Sequence, residues 1–155
     1  MNADDHEYAG FWIRVWASLI DTVLLMIVIV PLVVTVYGWG YFSADAAFIR
    51  GPADFLISWL MPAAAVVMFW LYRRATPGKM AISATVVDAT TGAAITPNQA
   101  LIRYVGYFVA TLPLGLGLIW VAFDPRKQGW HDKMAGTVVV RARQRGPVPV
   151  RFDKN

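Results

Sequence analysis

The sequence contains no cysteine and few charged residues, and both shortages restrict what the protein can be. Without cysteine, the 155 residues offer no disulfide, no thiolate nucleophile and no sulfur ligand for a metal. Charged residues make up 15% of the chain, whereas soluble domains carry about 25%. Hydrophobic residues make up 57%, and the mean hydropathy is +0.49. This composition favours a single domain embedded in a lipid bilayer.

Recognisable catalytic motifs are also missing. The sequence has no nucleophile elbow, no zinc-binding His-Glu-x-x-His pair and no complete phosphate loop, because Gly78 and Lys79 lack the upstream glycine spacing that such a loop requires. The two histidines are His6, in an N-terminal segment that we expect to be mobile, and His131. A metal site would therefore have to be built chiefly from carboxylates. We expect no enzyme activity, no cofactor and no metal site.

Positive charge exceeds negative charge, with a net charge of +4 and an isoelectric point near 9.6. The basic residues flank apolar runs instead of lining a polar domain, so they indicate orientation in a membrane and not nucleic-acid binding. Residues 1–13 contain no lysine or arginine, and a cleavable signal peptide needs a basic segment there. We therefore expect the N-terminus to be retained.

Two apolar runs are long enough to cross a bilayer, which takes roughly 20 helical residues. The first covers residues 15–37 and contains one charged residue, Asp21. Its Pro31 is compatible with a membrane helix when neighbouring groups satisfy the freed carbonyl. The second run covers residues 55–72 without a charge, and the aromatic connection over 38–54 is typical of a membrane interface. The sequence predicts two transmembrane helices.

A more polar segment follows the second run. The β-branched stretch at 82–88 predicts a strand, and Thr96, Pro97 and Gln99 predict a helix start with Thr96 as the N-cap of a capping box. A second β-branched stretch at 136–141 is a suitable partner for the first, because an isolated strand is not stable. Paired strands must lie on the same side of the membrane.

The third apolar stretch, residues 104–123, is interrupted by Pro113, Gly115 and Gly117. Lysines and arginines number one before the first helix, one in the 38–54 loop, four in 73–103 and eight from residue 124 onward. The positive-inside rule makes the loop external and the other segments cytoplasmic. A third straight crossing would place the eight basic residues outside, so we expect a hairpin that returns to the cytoplasm.

Together these patterns predict an all-α integral membrane protein. Its two transmembrane helices are followed by a broken, re-entrant or interfacial helical hairpin, and a small strand pair lies in the cytoplasm. Both termini are expected to be cytoplasmic. The membrane domain is expected over residues 1–143, with a flexible basic tail over 144–155.

Ionisable residues in or beside the spans are the candidates for function, because placing a charge in lipid is costly. Asp21 follows Arg14 by seven residues, which places both on one face of a helix. Asp21 either binds a cation or proton or is neutralised by a structural partner such as Arg103. His131 is a candidate proton relay. Asp132 is expected to cap a helix N-terminus or to pair with a cytoplasmic-side arginine.

Three blocks of the chain resemble the RDD family of membrane proteins: WIRVWASLID at 12–21, TPGKMAISATVVDATTGAAITPNQALIRYVG at 76–106, and WHDKMAGTVVV at 130–140. The family is named for one arginine and two aspartates, which match Arg14, Asp21 and Asp132 here. The resemblance implies a bacterial protein of the inner membrane. Some members of the family are linked to export of sodium, potassium or lithium coupled to proton entry.

Two functions fit these features, and we place exchange first. A monovalent cation/proton exchanger of this length has too few spans to enclose a pathway alone, so it would act as a homo-oligomer, with Na⁺ or K⁺ competing with H⁺ at Asp21. The helix break at Pro113, Gly115 and Gly117 would supply backbone dipoles near that site. A non-transporting accessory or scaffold protein would instead use the arginines and aspartates as a static network. Lipid binding by the basic segments is a third idea.

Overall fold

The computed structural model describes residues 6–43 and 48–143. The tail expected over residues 144–155 lies outside these ranges. Helices make up most of the described chain, and a small sheet lies at one end of them.

Two helices are long and apolar enough to cross a membrane. Helix α1 covers Phe11–Tyr37 and helix α2 covers Pro52–Arg73, with mean hydropathies of 2.7 and 1.9 over their most apolar windows. Helix α1 begins four residues before the predicted start because the Arg14 amide already donates to the Gly10 carbonyl. Helix α2 begins at Pro52, whose fixed φ suits a first helical turn, and it widens into a π-helical segment at Phe55–Leu60.

A short helix, α3 (Pro77–Ala81), lies against α1. Its second residue is Gly78, and a Cβ atom there would lie 2.0 Å from the carbonyl oxygen of Ala17. No side chain fits in that space, so glycine is required for the backbone of α3 to contact that of α1.

The third apolar stretch forms two helices joined by a sharp bend. Helix α4 covers Pro97–Thr111, and α5 covers Leu116–Ile119 and continues as a 3₁₀ turn over Trp120–Ala122. The predicted capping box at Thr96 is confirmed. The two helices meet at 113°, and Gly115 adopts a φ of 77° at the bend. The predicted interruption is therefore confirmed as a change of direction.

The sheet has three strands where two were predicted. Strands β2 (Ala84–Asp88) and β3 (Thr137–Ala142) pair antiparallel, with Val86 opposite Val139, as the two β-branched stretches predicted. Strand β1 (His6–Tyr8) pairs with the other edge of β3. The expectation of a mobile segment at His6 was wrong, and this third strand was missed because three residues are too few for a detectable β pattern.

The last helix, α6 (Trp130–Ala135), packs directly on α4. A Cβ atom at Gly106 would lie 2.8 Å from the Cα atom of His131, so the two backbones are in contact. Beneath them, a core of buried residues joins the end of α2 to the sheet; its members include Trp70, Val86, Ile95, Ala100 and Val139. This arrangement brings α1, α4 and α6 together above the sheet.

Candidate functional site

Asp132 lies at the third position of α6, and its carboxylate is completely buried. Oδ2 accepts a hydrogen bond from the Gly129 amide at 3.1 Å, which caps the N-terminus of the helix. The same oxygen lies 2.5 Å from Nη1 of Arg14. Oδ1 forms an ion pair with Nη1 of Arg103, whose side chain is also fully buried. Two arginines from different helices therefore hold one carboxylate; we call these three residues the clamp.

The arginines extend the clamp to further parts of the fold. Arg14 donates from Nε to the Ala9 carbonyl at 3.0 Å and from Nη2 to the Lys127 carbonyl at 2.5 Å. Arg103 donates from Nη1 to Oγ1 of Thr137 at 2.6 Å. The clamp thus connects α1, α4 and α6 with the first residue of β3.

The electrostatic balance of the clamp favours the charged form of Asp132. Burial by itself would raise the pKa of this carboxyl, but the guanidinium groups of Arg103 and Arg14 outweigh that effect. The pKa of Asp132 therefore lies well below its ordinary value, and the carboxylate is ionised at neutral pH. Two cations and one anion leave the clamp with an excess of positive charge.

Aromatic rings surround the clamp on one side. The imidazole of His131 stacks on Tyr107 with ring centroids 3.9 Å apart, and Tyr107 stacks on Trp70 at 5.9 Å. Burial lowers the pKa of His131 to about 3. The neighbouring carboxylate of Asp132 favours the protonated imidazole, but it compensates only part of the burial effect. Neither imidazole nitrogen has a hydrogen-bond partner among the described residues. His131 is therefore neutral at pH 7, and its role as a proton relay stays a prediction.

Asp21 is not part of the clamp. Its Oδ2 accepts a hydrogen bond from the Thr76 hydroxyl at 2.5 Å, and its Oδ1 accepts one from the Gly78 amide at 2.6 Å. The partner considered from the sequence, Arg103, is already engaged by Asp132. Asp21 instead holds the N-terminus of α3, where backbone N–H groups attract a carboxylate.

Thr76 and Gly78 are the partners that sequence reasoning missed. The TPGK segment carried the signal, because proline at the first position of a helix marks an N-terminus with free N–H donors. What no pattern in the sequence indicated is that this N-terminus would be placed beside Asp21.

A cavity of about 780 Å³ lies beside Asp21, between α1, α2 and α4. Its polar lining residues are Ser18, Asp21, Thr22, Trp70, Thr76, Lys79, Tyr104, Tyr107 and Thr111. Its apolar lining residues are Leu25, Val66, Phe108 and Leu112. A second cavity of about 360 Å³ lies on the other side of Lys79 and Tyr107. The buried side chain of Lys79, which the sequence did not single out, lies at the junction of the two.

The helix break lies between the two cavities' lining residues, since Leu112 lines the first and Gly115 the second. Gly115 lines the second cavity together with Arg14, whereas Asp21 lines the first. Gly117 packs against α4, where an added Cβ atom would lie 2.6 Å from the Cα atom of Ala110. The break therefore allows α5 to fold back onto α4.

Two helices long and apolar enough to cross a bilayer, followed by a bent helical pair, are the features of a membrane protein. The sequence model of the RDD family matches residues 8–136. The chain belongs to this family. The matched region contains Arg14, Asp21 and Asp132.

Two curated relatives are similar to the chain. It is 34% identical over 140 residues to the "Uncharacterized membrane protein YteJ" of Bacillus subtilis (strain 168), and that stretch covers 87% of this chain and 82% of the relative. It is 36% identical over 76 residues to the "Uncharacterized protein RP437" of Rickettsia prowazekii (strain Madrid E), with 49% of this chain and 42% of that protein covered. No solved structure matches the chain.

Replacing Asp132 should strongly destabilise the fold. Asp132→Asn leaves Arg14 and Arg103 without a counter-ion in a buried site, and breaking a buried ion pair in this way costs about 3–5 kcal/mol. Unfolding in mixed detergent micelles, followed by tryptophan fluorescence, measures the change. Glu7→Gln is the matched control, because it breaks the partly exposed Glu7–Arg141 pair and should cost about 1 kcal/mol or less. Equal losses in the two variants would contradict the clamp.

His131 should make the fold less stable in mild acid. Below its ordinary pKa of 6.5 the unfolded chain takes up a proton that the folded chain does not accept until about pH 3. The free energy of unfolding therefore falls with falling pH, by at most about 1.4 kcal/mol per pH unit from this group. Unfolding curves at pH 7 and at about pH 5, where carboxylates still contribute little, should converge in His131→Gln. In the control His6→Gln the curves at the two pH values should stay apart, as in the wild type. If they also stay apart in His131→Gln, His131 is not the cause of the lower stability at pH 5.

Proposed function

We propose that the chain is an inner-membrane protein in which α1 and α2 cross the bilayer and the bent pair α4–α5 enters and returns. The three strands come from segments before α1, after α2 and after α5. A hydrogen-bonded polar sheet cannot be divided by a bilayer, so all three segments lie on one side. Since α1 and α2 lead out and back, residues 97–122 must also return to the side where they began.

The distribution of basic residues supports the cytoplasm as that side. Four lysines and arginines occur in residues 73–103 and eight from residue 124 onward, against one, Arg50, in the opposite loop. The positive-inside rule favours a cytoplasmic location for the two richer segments. Both ends of the described chain are then cytoplasmic.

Cysteine labelling tests this topology, because the natural sequence contains no competing thiol. Single substitutions at exposed positions are Phe48→Cys in the opposite loop, Thr90→Cys after β2 and Met134→Cys after the bent pair. In intact cells a membrane-impermeant maleimide should label Phe48→Cys alone, and permeabilised cells should show labelling of all three. Labelling of Met134→Cys in intact cells would mean that residues 97–122 cross the membrane.

Within this topology the protein acts as a non-enzymatic, non-transporting accessory or scaffold protein whose charged network is structural. The observation that supports this function most is that both family aspartates have partners within the protein: Asp132 is held by the clamp, and each oxygen of Asp21 accepts a hydrogen bond. A transport site needs a carboxylate whose partner changes during the cycle. For this reason we place the accessory function before exchange, the opposite of the order expected from the sequence.

Cation/proton exchange by a homo-oligomer is the second candidate, and one observation favours it. Asp21 lines the larger cavity together with the hydroxyl-bearing residues Ser18 and Thr22. Oxygen ligands of this kind suit Na⁺ or K⁺. Exchange at this site would require a proton to displace the cation from Asp21.

Flux through proteoliposomes separates the two functions. The wild type should show no proton movement that depends on Na⁺ or K⁺. Such movement, present in the wild type and lost in Asp21→Asn, would establish exchange and overturn the accessory function. Thr76→Val is the matched control, because it removes the hydroxyl that donates to Asp21 and keeps the carboxylate. Flux lost equally in both variants would reflect damage to the contact with α3.

A further inference from the structure

Lys79 is a largely buried cation that has no anionic partner among the described residues. Its side chain is 6% exposed and lines both cavities. Among the described residues, no carboxylate lies within ion-pair distance of its ammonium group, and no acceptor receives a hydrogen bond from it. A buried ammonium is unfavourable unless a counter-ion compensates it.

The neighbouring charges do not supply that compensation. The charged side chains around the two cavities and the clamp are the cations Arg14, Lys79 and Arg103 and the anions Asp21 and Asp132. His131 adds no charge at neutral pH, because burial lowers its pKa. Three positive charges against two negative charges leave the region with one positive charge in excess, so a ligand with one negative charge would balance it.

The larger cavity has the shape and chemistry of a site for an amphiphile. Lys79, Ser18 and Thr76 are among its polar lining residues, together with Asp21, whose two oxygens already accept hydrogen bonds from Thr76 and Gly78. Leu25 and Phe108 are among its apolar lining residues. Its volume of about 780 Å³ lies within the range of small-molecule sites in proteins. The ammonium group of Lys79 thus suits an anionic group, and the apolar lining residues suit hydrocarbon.

The position of the cavity indicates where such a ligand comes from. The cavity lies between the spanning helices α1 and α2 and the helix α4. Lys79 follows the end of α2 at Arg73 by six residues, which places it near the level of the lipid headgroups. We propose that the cavity binds an anionic phospholipid, with Lys79 pairing with the headgroup phosphate and an acyl chain lying against the apolar lining residues.

Lipid exchange on the purified protein tests the site without an ion gradient, so the result does not depend on whether the protein transports anything. The protein is equilibrated in micelles with equal amounts of phosphatidylglycerol and phosphatidylcholine, and the bound lipids are quantified by mass spectrometry. The wild type should retain phosphatidylglycerol preferentially. Lys79→Gln should reduce that preference on the order of tenfold, the effect of losing one charge-assisted hydrogen bond.

Arg73→Gln is the matched control, because it removes one positive charge from an exposed residue at the same membrane level and should keep the preference. An unchanged preference in Lys79→Gln, or an equal loss in Arg73→Gln, would overturn the proposal in favour of general surface attraction. Displacement of the lipid by excess glycerol phosphate would overturn it in favour of a soluble phosphate ligand.

A steric variant decides the matter if Lys79→Gln does not fold. Thr111 is exposed and lines the cavity, so Thr111→Trp can obstruct the apolar part without removing a buried group. This variant should lose bound phosphatidylglycerol while unfolding like the wild type. Full retention of the preference in a folded Thr111→Trp protein would exclude the cavity as the site.

Discussion

Asp132 carries a buried negative charge that Arg14 and Arg103 neutralise, and the packing of three helices on the sheet depends on that balance. Each member of the clamp is costly to bury by itself, because a charge loses its hydration in the interior. The cost is offset only when all three are present in one geometry, with Gly129 and Thr137 satisfying further hydrogen bonds. The clamp therefore selects one arrangement of α1, α4 and α6 instead of simply adding stability.

Close backbone contact is the second constraint, and glycine makes it possible. At Gly78 the N-terminus of α3 reaches the carbonyl of Ala17, and at Gly106 helix α4 touches α6. Small residues serve this purpose in membrane proteins, where lipid gives helices little hydrophobic reason to associate. The close approach at Gly78 also brings the Gly78 amide N–H to Asp21. The glycine at this position therefore explains both the packing of α3 on α1 and the hydrogen bond to Asp21.

The spans, the capping box at Thr96, the break near Gly115 and the pairing of β2 with β3 could all be predicted, because each leaves a local pattern of hydropathy, capping or β-branching. Strand β1 could not, since three residues at His6–Tyr8 carry no such pattern and pair only because β3 offers a free edge. Within the site, residue type alone marked Asp21 and Asp132. Which cation lies beside which carboxylate depends on how distant helices pack, and Lys79 looked like an ordinary turn residue.

The position of β3 in the middle of the sheet has a consequence for biosynthesis. Strands β1 and β2 both pair with β3 and not with each other, and β3 is the last described element to leave the ribosome. Arg14 likewise has no counter-ion from the clamp until Asp132 is synthesised, 118 residues later. Contacts of such long sequence separation form late in folding. During synthesis β1, β2 and Arg14 are therefore without the partners that they have in the folded protein until residues 132–142 have been made.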